Sequence, residues 1–263
     1  MFPPKLIVSF SAVFTSFYTF SESKLEVNFN NSPIGPYQKS SIVSDWPQLK
    51  WQALSQRAEI VPNDSNDHSL KIYYPKGAVG PSQGGGQFLL PLQPATDLWL
   101  SYQVKFDPNF DFRLGGKLPG LTSGGSKYTG GNKPTKGEGW SARYMWREDG
   151  EAIIYLYYMD MKGKWGDDLT LAGFHFQPNE WHTLVQHIRI NDMQQSNGVL
   201  EVWIDGDKKL SKTDLKFRAQ ETAIIDSFYF STFHGGNTKD WAPKHDSYAY
   251  FDNFIISKTA LVE

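Results

Sequence analysis

Ser141-Ala-Arg-Tyr-Met-Trp-Arg147, then Glu148-Asp-Gly150, then Ala152-Ile-Ile-Tyr-Leu-Tyr-Tyr158 decide the fold of this chain. Two runs rich in aromatic and β-branched residues flank a short acidic turn ending in glycine, which is a hairpin signal. On a strand, residues i and i+2 point to the same face. Ser141 and Arg143 therefore share one face of the first run, and Arg147 has their parity. Tyr155 and Tyr157 share one face of the second.

Similar runs extend in both directions. Ser69 to Tyr74 stops at Pro75, Gly86 to Leu90 at Pro91, and Leu98 to Phe106 at Asp107-Pro108. Thr183 to Ile190, Val199 to Asp205, Ile224 to Phe233 and Ser247 to Ile256 complete the set. Many short strands with few helices predict an all-β chain, a jelly-roll β-sandwich. The best helical candidate, Gln48 to Arg57, is short. Residues 24–50 read as an irregular lead-in with turn residues at Asn30, Asn31, Pro33, Gly35 and Pro36. Gly115 to Gly139, rich in Gly, Lys, Ser and Thr, reads as a long functional loop.

The length of 263 residues suffices for one large β-domain. A net charge of −2 argues against a nucleic-acid or membrane-surface protein, but allows a local basic patch for an anionic ligand. With no cysteine, disulfides and thiolate metal sites are excluded. Lys5, the mostly apolar Leu6 to Phe20 and the small Ser21 and Ser23 read as a secretory signal over residues 1–23. The expectation is a secreted, monomeric domain over residues 24–263, off the membrane once the leader is removed. Asn30-Asn-Ser32 and Asn63-Asp-Ser65 match the glycosylation sequon.

Cations, a hydroxyl and two phenols on one surface suit β-elimination on a uronic acid polymer. A base removes the C5 proton, the bond to O4 breaks, and an acid protonates the leaving oxygen. The C5 proton is weakly acidic because its carbanion would sit beside a carboxylate, so that charge must first be neutralised. Base and acid must then lie within hydrogen-bond reach of C5 and O4. Tyrosine serves either role, and a nearby Lys or Arg is expected to lower its pKa from about 10. Lys117, Arg143, Tyr155 and Tyr157 supply these groups, with Ser141 as a further donor; no cofactor is called for.

Gly115-Gly-Lys-Leu-Pro-Gly120, Ser141-Ala-Arg143 and Tyr155-Leu-Tyr157 resemble polysaccharide lyase family 14, the alginate and glucuronate-polymer lyases. The resemblance runs from about Lys71 to Phe254 and includes Tyr74-Pro-Lys-Gly77, Trp181-His182 and Tyr248-Ala-Tyr-Phe-Asp252. Glucuronan lyase family 20 is similar in the loop and closing segments. The resemblance implies a β-jelly roll with its cleft on a concave sheet. It also implies a functional lysine at Lys117, a serine and arginine at Ser141 and Arg143, and paired tyrosines at Tyr155 and Tyr157. Lys117 would neutralise the carboxylate or abstract the proton. Arg143 and Ser141 would bind the carboxylate or orient the sugar, and the tyrosines would share base and acid duties.

Other residues are weaker candidates. Gln87 could hydrogen-bond a carboxylate, and Arg147 could form an outer subsite. Lys127, Lys133 and Lys136 could attract a polyanion, and His187 or His234 could reach the cleft. Asp240 and Asp252 could hold a structural calcium, although no run of oxygen ligands or metal signature stands out. Two alternatives remain. One is a non-catalytic lectin-like jelly roll. The other is a glycoside hydrolase, for which Glu201 and Asp205 are a poor acid pair because Asp205 belongs to a terminal Asp-Gly turn.

Overall fold

Every second residue of the apolar runs turns inward, and these inward sets meet between two antiparallel sheets. The computed structural model describes residues 24–54, 56–63 and 67–263. The expected leader and part of the second sequon lie outside those residues. The strands are β1 (Lys24–Val27), β2 (Gly35–Pro36), β3 (Trp51–Ala53), β4 (Ala58–Pro62), β5 (His68–Tyr74), β6 (Gly86–Ala95), β7 (Asp97–Phe106), β8 (Gly115–Ser123), β9 (Trp140–Arg147), β10 (Glu151–Tyr157), β11 (Asp167–His175), β12 (Trp181–Arg189), β13 (Gly198–Ile204), β14 (Asp207–Leu215), β15 (Ile225–His234) and β16 (Ser247–Ser257). One short helix, α1 (Lys39–Asp45), precedes β3.

One sheet runs β14-β13-β12-β7-β16-β5-β4-β2, with β1 also paired to β16. The other runs β11-β10-β9-β8-β15-β6-β3. The fold is the jelly-roll β-sandwich that the strand rhythm predicts. Tyr102 from β7 meets Tyr144 from β9 edge-to-face at 5.9 Å, which bridges the sheets. Trp46, just past α1, stacks on Phe228 at 5.8 Å and closes one end. Outside this main core, Tyr128, Met145, Ile153, Tyr155, Tyr157 and Met161 form a second cluster on the other face of β9 and β10. One hairpin therefore feeds both the core and a surface cleft.

Four readings are corrected. The lead-in holds β1, β2 and α1, so it is not irregular. No helix forms among the described residues of Gln48 to Arg57, because Trp51–Ala53 pairs with β6 as an edge strand. Gly115 to Gly139 is not all loop: its first nine residues are the central strand β8. Pro91 does not end its strand, since β6 continues to Ala95. Beyond Leu89 no β3 partner remains, so the missing N–H of Pro91 removes no bond from that side.

The histidines lie elsewhere than in the cleft. His187 sits on β12 in the nine-stranded sheet, stacked on Trp99 at 4.1 Å and held between Asp97 and Glu201. His234 is in the core against Phe110, and its Nε2–H donates to the Asp111 carbonyl at 2.7 Å. Burial lowers its pKa to about 4.

Candidate active site

Lys117 owes its position to a bulge. Between Lys117 and Gly120 the register of β8 slips against both neighbours, β9 and β15. Pro119 falls inside the slip, where its missing N–H breaks no ladder. The freed backbone groups find partners from the opposite sheet. The Tyr102 hydroxyl donates to the Pro119 carbonyl at 3.2 Å. Gln186 Oε1 accepts the Leu121 N–H at 3.2 Å, and its Nε2 donates to the Ala142 carbonyl at 3.1 Å. Gly120 is required because a Cβ there would lie 2.1 Å from the Ala142 oxygen. The motif Gly115-Gly-Lys-Leu-Pro-Gly120 is thus a device for aiming one lysine from a central strand.

The hairpin aims the other groups. Register pairs Tyr155 with Arg143 and Tyr157 with Ser141 across β10 and β9. Lys117 pairs with Met145. Lys117, Arg143, Arg147, Tyr155, Tyr157 and Gln87 line one cleft of about 630 Å³, together with Tyr229, Trp165 and Trp241. Lys117 Nζ lies 3.5 Å from the centre of the Tyr155 ring, and it also touches the Met145 sulfur. The Tyr155 and Tyr157 rings meet edge-to-face at 5.4 Å.

Arg143 is 2% exposed, and among the described residues its one side-chain hydrogen bond runs from Nη1 to Ser231 Oγ at 3.2 Å. Its Nε is buried without an acceptor. Among the described residues no carboxylate pairs with Arg143 or Lys117. A buried, unpaired cation facing a cleft is an anion site, because its desolvation is offset only when an anion arrives. Gln87 reinforces the same floor, with Nε2 donating to Ser231 Oγ at 2.9 Å and to the Tyr229 hydroxyl at 2.5 Å.

Two sequence candidates have their polar groups occupied. Ser141 is fully buried, and its hydroxyl donates to the Tyr128 carbonyl at 2.7 Å, pinning the base of the β8–β9 loop. Arg147 is held bidentately by Asp168, with Nε at 2.9 Å and Nη2 at 2.6 Å. Of the loop lysines, Lys133 bonds the Met161 carbonyl and Lys127 lies over Tyr128 at 4.9 Å. Lys136 is exposed outside the cleft lining.

The electrostatics depart from expectation. Burial, then the charges of Arg143 and Arg147, pull Lys117 well below the usual lysine range, toward the neutral amine. Burial and a hydrogen bond with Tyr157 push the Tyr155 phenol up, and the opposing effect of Arg147 does not cancel this. The cations therefore do not make Tyr155 a phenolate. The cleft thus sets a lysine shifted toward easier deprotonation beside a phenol shifted toward harder deprotonation.

Sequence reading missed Met145, Tyr229 and Ser231. Parity could have found Met145, which follows Arg143 by two, and the alternation of β15 could have found the other two. Trp165 and Trp241 lie in connections, and no pattern marks them.

A β-sandwich with unpaired cations and phenols in a cleft across one sheet has the construction of an enzyme acting on acidic polysaccharides. Sequence comparison bears this out: the profile of Polysaccharide lyase 14 matches residues 62–254, and the chain belongs to that family. It is a polysaccharide lyase. Among solved structures, the alginate lyase Aly36B superposes with a TM-score of 0.80 at 26% identity, covering 92% of this chain and 99% of that one. The PL-14 alginate lyase from Aplysia kurodai gives 0.75 at 27% identity, covering 89% and 97%. The endo-β-1,4-glucuronan lyase of Trichoderma reesei shares the fold, with a TM-score of 0.56 at 11% identity and coverage of 87% and 95%. No curated protein matches the chain.

Proposed function

We propose that this lyase cleaves alginate in the cleft over the seven-stranded sheet, with Arg143, Lys117 and Tyr155 as the acting groups. The observation that carries the reading is a buried guanidinium and a partly exposed amine, both without a carboxylate partner among the described residues, around one phenol. Arg143 neutralises the substrate carboxylate. Lys117, disposed to the neutral amine, takes the C5 proton. The C5–H electrons form the C4–C5 double bond, the C4–O4 bond breaks, and O4 takes the Tyr155 proton. Transfer of a proton from the Lys117 ammonium to the Tyr155 phenolate restores the resting state, the amine lying 3.5 Å from the centre of the Tyr155 ring. Tyr157 positions Tyr155, with its own oxygen fixed by the Gly131 N–H at 2.9 Å. Gln87 and Ser231 hold Arg143 in register, and Ser141 anchors the loop above Tyr157.

Solved structures of a similar enzyme support a lysine and a tyrosine at such a site. Aly36B carrying alanine in place of a lysine and a tyrosine is known in complex with an alginate tetrasaccharide. The same enzyme with a lysine and a methionine replaced is known in complex with a trisaccharide. That lysine and methionine are as far apart in sequence as Lys117 and Met145. The leader-like residues 1–23 support export, so the substrate is met outside the cell as a polymer.

The test supplies polymannuronate, polyguluronate and glucuronan separately and reads the ultraviolet absorbance of unsaturated ends. Product from either alginate block supports the reading, whereas product from glucuronan alone would move the substrate. Reducing ends without that absorbance, or binding without product, would refute β-elimination.

A further inference from the structure

The register of the seven-stranded sheet places the two cleft tryptophans at opposite strand ends. Tyr157, Ser141 and Thr122 pair across β10, β9 and β8 and mark one end. Gly116, Trp146 and His234 mark the other. From Trp146 to Ser141 is a run of about 17 Å at the usual strand rise. Trp165 lies in the β10–β11 connection at the Tyr157 end. Trp241 lies in the β15–β16 connection at the other, packed over Gly235 and Gly236. Lys117, Arg143 and Tyr155 lie between them.

Trp165 is 56% exposed, and no other described aromatic residue is among the exposed large hydrophobics. More than half of its surface is left in water while it lines the cleft. It stands on a cleft wall with Lys164 Nζ 5.2 Å from its ring. One side of the indole rests against Gly131, where a Cβ would lie 3.1 Å from the ring. The Gly131 N–H is also the group that fixes Tyr157.

We propose that Trp165 and Lys164 form a platform for a uronate unit beyond the scissile bond, the indole stacking on the sugar and the ammonium pairing with its carboxylate. This rests on the polyuronate reading. An indole suits the apolar face of a pyranose, and the adjacent ammonium matches a carboxylate that a neutral sugar would lack. Because the platform lies against Gly131, a seated sugar also secures Tyr157. The platform therefore favours long chains over short ones.

The experiment measures kcat/KM on an alginate oligomer series from dimer to polymer for the wild type, Trp165→Ala, Trp165→Phe and Lys164→Ala. In parallel, calorimetry follows binding of the same oligomers to each protein. Trp165→Ala should lower kcat/KM on long chains by about ten-fold, the equivalent of losing roughly 55 Å² of apolar contact. The shortest cleaved oligomers should change little, and Trp165→Phe should keep most of the preference. Lys164→Ala should weaken binding in a salt-dependent way. An equal loss at every length, or no loss at any, overturns the proposal. If Trp165→Ala fails to fold, Trp165→Phe against Trp165→Leu decides in the same manner. If the wild type makes no unsaturated ends from any polyuronate, the lyase chemistry fails. Calorimetry of wild type against Trp165→Ala then still decides the platform.

Discussion

Replacing Arg143 with Met should separate activity from stability. The guanidinium is buried and, among the described residues, makes one hydrogen bond, leaves Nε unpaired and has no carboxylate partner. A substrate carboxylate about 4 Å away gains roughly 4 kcal/mol at the effective dielectric of a protein near its surface. Stripping water from that carboxylate takes back part of the gain. The net expectation is a loss of about 10²–10³ in kcat/KM, at roughly 1.4 kcal/mol per ten-fold. The folded protein alone should not suffer. Methionine fills similar space and removes a buried donor whose unsatisfied state costs about 1–3 kcal/mol. The melting temperature of Arg143→Met should thus hold or rise. The assay pairs initial rates of ultraviolet product with thermal melts of the same samples. A retained rate, or a fall in melting temperature with the rate intact, would show that Arg143 is structural and refute the anion-site argument.

Other perturbations test the remaining roles. Lys117→Ala should abolish product while the fold survives. In the wild type the rate should hold where the Lys117 amine is neutral and fall as acid protonates it, at a pH well below the usual lysine range. On the alkaline side the raised Tyr155 phenol keeps its proton past its ordinary value of 10.0, so a rate that falls before that pH would remove Tyr155 as the acid. Ser141→Ala should destabilise by about 1 kcal/mol through the lost bond to Tyr128 and raise KM more than it lowers kcat; a collapse of kcat alone would instead mark a direct role in chemistry. Asp252 is held by burial at a pKa of about 7, against 3.8 ordinarily. Its folded pKa is raised, so the native state holds the proton longer and stability falls as pH rises from about 4 to about 7. Asp252→Asn should therefore raise the melting temperature at pH 8 and leave it unchanged near pH 4; a uniform shift would contradict the titration.

The sequence by itself determined those strands that bury at least one face. β5, β7, β12 and β16 mix apolar and polar residues between turn signals, because one side of each must leave water. β9, β10, β13 and β15 are buried along nearly their whole length, because both of their faces are covered. β14 escaped notice because it is an edge: Lys208, Lys209 and Lys212 keep it polar and resistant to further pairing. β11 is the edge of the other sheet and is mostly solvated, so burial imposed little pattern on it. β8 was hidden by its own glycines and proline, which look like loop chemistry until Gln186 and Tyr102 are seen to satisfy the bulge. Parity was also legible, and it put Ser141 with Arg143 and Tyr155 with Tyr157 on single strand faces; the register that sets Arg143 beside Tyr155 came from the structure. Only the tertiary structure decided which face of the hairpin opens to solvent, and it spent Ser141 on a loop and Arg147 on Asp168. It alone reversed the expected shift of Tyr155, because a pKa is set by the burial and charges around a group, which strand periodicity does not encode. Pattern along a chain records which side meets water; chemistry depends on which distant side chains are brought together there.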